Sequence, residues 1–102
     1  MLAAAREAQG FAAGRAEQDL SQDRQLTLAL LKCIKIIGEA AARTSEETRA
    51  RYPKMPWDDM IGMRNRCVHA YFEIDLSLLW TTVRDDLPVL AQDLERTCAE
   101  QP

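Results

Sequence analysis

Apolar residues recur at steps of three and four along two long stretches, and this spacing constrains the fold more than anything else in the chain. Leu26, Leu30, Cys33, Ile37 and Ala41 form one series; Leu76, Trp80, Val83, Leu87, Leu90, Leu94 and Cys98 form the other. At 3.6 residues per turn each series becomes one apolar stripe along a helix, and a stripe must be covered by another helix. No segment alternates apolar and polar residues as a half-buried strand does, and no repeat is present. The expected fold is all-α, a bundle of four to five helices with short connections. At 102 residues the expectation is a single helical domain over 1–102. Its small core makes oligomerisation a natural way to cover leftover apolar surface.

Local signals give provisional boundaries. An Ala-rich first helix spans about residues 2–16, with Leu2, Ala5, Ala8 and Ala12 on one side and Gly10 and Gly14 weakening its second half. A second helix runs from near Ser21 to Ala42, and Thr44 with Glu47 fits a capping box that opens a short third helix ended by Tyr52-Pro53. Pro56 suits the first turn of a fourth helix over about 56–70, with Asp58 and Asp59 at the positive end of its dipole. Asp75 can cap the last helix, and Pro88 should kink or restart it.

Charge is distributed unevenly. Residues 43–71 carry six basic against four acidic groups, and residues 72–102 two against seven. A basic region around Arg43, Arg49, Arg51, Lys54, Arg64 and Arg66 can receive an anion, while the acidic tail and a net charge of −3 argue against an indiscriminate nucleic-acid coat. Cys33, Cys67 and Cys98 lie at no metal-ligand spacing and read as reduced, buried small hydrophobes. No run is long and apolar enough to span a membrane, and the start lacks signal-peptide features, so the expected location is cytoplasmic, with no membrane partner.

The segment Arg64-Asn65-Arg66-Cys67-Val68-His69-Ala70-Tyr71 holds the chain's single histidine. A guanidinium grips a phosphodiester by paired hydrogen bonds, an imidazole moves a proton near neutral pH, and an amide orients what lies beside it. These are the groups that cleaving RNA without a metal requires, and no cofactor or metal is expected. Arg66 and Lys54 are candidate RNA contacts. Glu39, after Gly38 in the core helix, is a candidate ion-pair partner for an arginine. Trp57 and Trp80 read as core or interface aromatics. On an ideal helix Arg64 and His69 lie about 140° apart, so they share no stripe. Either the helix ends near His69, or a second copy across a twofold axis completes the site; the second arrangement is the expectation.

The pattern Arg64, four residues, His69, one residue, Tyr71 resembles the R-x4-H-x-Y signature of HEPN-domain toxins of the HepT type. The likeness extends to Ile36-Ile37-Gly38-Glu39-Ala40-Ala41, Ser45-Glu46-Glu47, Pro56-Trp57, Ile61-Gly62-Met63-Arg64-Asn65, Tyr71-Phe72, Asp75, Trp80 and Asp86-Leu87-Pro88. It covers nearly the whole chain, residues 1–20 least. Cys67 stands where a larger aliphatic residue is more usual. The resemblance implies a HEPN-like fold and a homodimeric, metal-independent endoribonuclease toxin paired with a minimal nucleotidyltransferase antitoxin. It implies that Arg64 and His69 are catalytic, that Asn65 orients the site, and that Tyr71 is the regulatory residue to which an antitoxin attaches AMP. DNA is not an expected partner. The alternative is a non-catalytic helical module that binds a nucleotide or a nucleotidyltransferase partner, with Arg64 and Arg66 gripping phosphate and His69 structural.

Overall fold

In the computed structural model, residues 1–69 and 73–100 are described, the side chains of 98–100 excepted. They form an all-α bundle. Its elements are α1 (Leu2–Ala12), α2 (Asp19–Gln22), α3 (Arg24–Arg43), α4 (Glu46–Arg51), α5 (Trp57–Cys67), α6 (Leu76–Thr81) and α7 (Leu87–Glu100). A π-helical turn, Thr82–Asp86, joins α6 to α7 in one continuous arm. The expected bundle is thus present, with α1, α3, α5 and this arm as its long members. Among the described residues no helix is long and apolar enough to cross a membrane.

Several boundaries differ from the sequence expectation, each for a local reason. α1 stops at Ala12 rather than near residue 16, and Gly14 follows with φ 73°, a left-handed conformation that glycine adopts without a Cβ penalty. The expected single helix from Ser21 is broken at Asp23. Its Oδ1 accepts the Leu26 N–H at 3.0 Å and caps α3, while Oδ2 accepts from Arg15 Nη2 at 2.8 Å. The arginine holds the Asp23 carboxyl below its ordinary range. The expected capping box does not form, and a simple N-cap stands one residue later: Ser45, not Thr44, receives the first-turn N–H, from Thr48 at 3.1 Å, and Thr44 Oγ1 instead donates to Ala40 O at 2.9 Å. A side-chain oxygen serves whichever free backbone group is nearer, and Thr44 stands at the end of α3.

The core follows the two stripes. Leu26, Leu30, Cys33, Ile37 and Ala41 of α3 are buried, as are Trp80, Val83, Leu87, Leu90 and Leu94 of the last arm, together with Met60, Met63 and Cys67 of α5. Cys33 and Cys67 are free thiols, pushed up in pKa by burial, as expected of small hydrophobes; the Cys98 side chain lies outside the described residues. Trp57 is half-buried and ties the loop before α5 by donating Nε1–H to Tyr52 O at 3.1 Å. Pro88 has no N–H to offer the carbonyl one turn back, and the arm answers with the π turn, in which the Leu87 N–H reaches back to Thr82 O.

The packing that positions the site is α3 against α5. A Cβ at Gly38 would stand 3.1 Å from Met60 O and 3.4 Å from Ile61 O, so the absent side chain is what lets the two backbones approach. The C-terminus of α3 is finished by Arg49, whose guanidinium donates to Ala41 O, Ala42 O and Thr44 O at 2.9, 3.0 and 3.1 Å. One member of the expected basic region is therefore a helix cap.

Candidate functional site

α5 does not reach residue 70. It ends at Cys67; Val68 is extended (φ −122°, ψ 119°) and forms an antiparallel bridge with Ile74. His69 N–H donates to Glu73 O and Asp75 N–H to Cys67 O, both at 2.7 Å. These bonds replace the next helical ones, and a β-branched valine suits the extended conformation. His69 thus leaves the helix, which corrects the expectation of a motif helix over 56–70 and realises the first of the two arrangements considered. Tyr71 lies outside the described residues.

Side chains alternate along such a pair. Val68 and Ile74 face α3, where they line a groove of about 280 Å³ with Arg64, Arg24, Lys32 and Lys35. His69 faces the other way, and its Nε2 lies 3.3 Å from Asp75 Oδ2. The other oxygen of Asp75 accepts the Leu78 N–H at 3.0 Å and caps α6, as expected. The cap, then the imidazole, holds the Asp75 carboxyl below its ordinary range.

Arg64 is half-buried in the last turn of α5. It faces α3 and also lines an adjoining groove of about 390 Å³ with Asn65, Glu39, Lys35 and Gly38. Glu39 is exposed and stands 3.9 Å from Lys35 Nζ, so it is not the buried partner of an arginine. The two expected RNA contacts point elsewhere. Arg66 is 3.5 Å from Asp59 Oδ1 and lines a cavity with Asp86 and Asp93; Lys54 borders a different one with Arg51 and Arg96. The structure therefore joins Arg64 with Asn65, and His69 with Asp75. No hydrogen bond links the two pairs among the described residues.

Arg24, Lys32 and Lys35 complete a basic wall beside Arg64 that the sequence reading missed. Their spacing of eight and three along α3 places them within about 80° of one another, but only the packing of α3 on α5 brings that face to Arg64. Among the described residues no three of His, Cys, Asp and Glu cluster as metal ligands.

The family described as Ribonuclease HepT-like matches residues 1–97. The chain belongs to the HepT-like ribonuclease family. Similar relatives carry the same sense in their names. "Putative RNase MJ1380" of Methanocaldococcus jannaschii is 36% identical over 73 residues, covering 72% of this chain and 67% of that protein. "Probable ribonuclease HepT" of Thermococcus cleftensis is 34% identical over 79 residues, covering 78% and 72%. "Putative RNase TTE0752" of Caldanaerobacter subterraneus subsp. tengcongensis is 32% identical over 78 residues, covering 76% and 70%. No solved structure matches the chain. In this HepT-like chain the signature residues Arg64 and His69 sit on opposite sides of the turn that ends α5, one against a basic groove and the other at the head of α6.

Proposed function

We propose that this HepT-like ribonuclease, acting as one domain over 1–102, is the toxin of a toxin–antitoxin pair and cleaves RNA by its own side chains. His69 takes the proton from a ribose 2′-hydroxyl. The resulting oxygen attacks the adjacent phosphorus, the P–O5′ bond breaks, and the leaving 5′-oxygen takes a proton from water, giving a 2′,3′-cyclic phosphate. Arg64 holds the non-bridging oxygens as charge develops on them, and Asn65 orients the group beside it. The observation that carries this reading is the placement of Arg64: a half-buried guanidinium at the meeting point of two grooves whose walls hold Arg24, Lys32 and Lys35. Three further cations beside it suit a backbone that carries one charge per nucleotide.

Within one copy Arg64 and His69 face apart, so the reading includes a twofold homodimer in which Arg64 of one chain meets His69 of the other. Apolar surface around the groove supports it: Leu28 is 45% exposed, and Leu31, Ile61, Val68 and Ile74 are only partly covered. A minimal nucleotidyltransferase antitoxin, attaching AMP at Tyr71, would place a bulky anion two residues from His69 and block the same cleft. RNA enters from the cytoplasm, with Arg66 and Lys54 as outlying contacts.

The test is induction of the wild-type chain, Arg64→Ala and His69→Ala in the same cells, with total RNA assayed for new cyclic-phosphate ends and each protein checked for folding and dimer mass. Growth arrest and new ends are expected with the wild type alone. Intact RNA with all three would favour a non-catalytic module that binds a nucleotide or nucleotidyltransferase.

A further inference from the structure

The Asp75 carboxylate has two oxygens with two different partners. Oδ1 caps α6 by accepting the Leu78 N–H. Oδ2 is left to face the His69 ring at 3.3 Å. The relative position of the two residues is set by two backbone hydrogen bonds that do not involve their side chains. These are His69 N–H to Glu73 O and Asp75 N–H to Cys67 O, which together make the Val68–Ile74 bridge. Asp75 is itself anchored by the helix it caps, whereas the His69 side chain is 55% exposed and has no other hydrogen-bond partner among the described residues. An exposed imidazole without a fixed partner samples both tautomers and several rotamers. A carboxylate only accepts, so the nitrogen that faces it must carry the hydrogen.

We propose that Asp75 is a positioning residue for His69: it keeps the hydrogen on Nε2 and so leaves Nδ1 as the nitrogen that takes the proton from the 2′-hydroxyl. The inference rests on the ribonuclease reading for its second half, but not for its first. In the first step the 2′-O–H bond breaks, an Nδ1–H bond forms, and the imidazolium charge is balanced by the Asp75 carboxylate across Nε2–H. The same pairing of an acceptor behind a proton-moving histidine is general chemistry for holding one tautomer. Here it is assembled from a helix cap and a two-stranded turn.

The two roles of Asp75 can be separated. In Asp75→Asn the amide oxygen still caps α6, since asparagine is as good a cap as aspartate. The amide NH2 then faces His69 as a donor and selects the opposite tautomer. Asp75→Ser also caps but is too short to reach the ring. Because His69 is the chain's single histidine, ¹⁵N shifts of a histidine-labelled sample, recorded on the deprotonated ring, report this one imidazole. The expected result is an Nε2–H ring in the wild type, an Nδ1–H ring in Asp75→Asn and a mixture in Asp75→Ser. For an oligoribonucleotide substrate, kcat should fall at least about tenfold in both variants with KM within about twofold, while helix content and melting stay near wild type. Identical ¹⁵N shifts in wild type and Asp75→Asn would overturn the proposal whatever the activity. Altered shifts with unchanged kcat would overturn the catalytic half. If the wild type cleaves no RNA while the tautomer still switches, the ribonuclease reading falls and the Asp75–His69 pairing stands.

Discussion

Arg64 and His69 are five residues apart in sequence, yet they are held by opposite kinds of physics. Arg64 rides on the α3–α5 crossing, where Ile34, Ile37 and Met60 are fully buried and Gly38 brings the backbones together. His69 rides on the turn after α5, where Val68 and Ile74 are only partly buried and hydrogen bonds between residues 67–69 and 73–75 define the geometry. A crossing held by packing transmits any change of volume, because interiors have little free space. A turn held by a few hydrogen bonds near solvent opens locally at low cost and tunes its side chains by charge. The proposed site thus pairs a rigid half, which would grip the phosphate, with an adjustable half, which would move the proton.

Losses should be greatest at the α3–α5 crossing. Ile37→Ala removes a fully buried side chain from the α3 stripe and should cost about 2–5 kcal/mol, read as a lower urea midpoint at constant slope. Gly38→Ala puts a methyl against the Met60 carbonyl and should cost about 1–3 kcal/mol. It should also weaken binding of an oligoribonucleotide by displacing Arg64, a loss measured by fluorescence anisotropy. Arg49→Ala leaves the carbonyls at the end of α3 without their guanidinium and should cost about 1–2 kcal/mol by thermal melting, with little effect on catalysis because Arg49 lies outside both grooves beside Arg64.

The capping carboxylates should give a weaker, pH-dependent effect. Asp23 and Asp75 both cap helices and both titrate below the ordinary carboxylate range when folded. Their ionisation therefore stabilises the folded state above the unfolded-state pKa of about 3.9, and that contribution is lost as pH falls through the lower folded values. Melting temperature followed from about pH 5 down to pH 2.5 should decline less in Asp75→Asn and Asp23→Asn than in the wild type, since an amide cap does not titrate. Equal declines would mean that other carboxylates govern the acid limb.

Much of the fold was legible in the chain. The α3 stripe is buried at every member of its series, and the last arm is buried from Trp80 to Leu94, because amphipathic spacing depends on helix geometry alone. Asp75 and Asp58–Asp59 marked helix starts, since capping and dipole effects act within one turn. Other features were not legible. Thr44 and Ser45 compete for the same cap, and which one serves depends on where α3 runs out. Arg49 looked like part of an anion site and instead closes a helix eight residues earlier in the chain. Arg24, Lys32 and Lys35 carry no motif; they matter because α3 lies beside Arg64.

An all-α bundle, the residues of its core and a family signature with Arg64, Asn65, His69 and Tyr71 can all be read along the chain. These follow from periodicity and residue chemistry, which are local. That α5 stops at Cys67, that Arg64 turns to α3 and that His69 turns to Asp75 follows instead from contacts between distant segments. A helix end is a competition between one more intrahelical hydrogen bond and the bonds offered by a returning segment. Here that segment is Glu73–Asp75, and its hold on residues 67–69 depends on where the α6 arm packs.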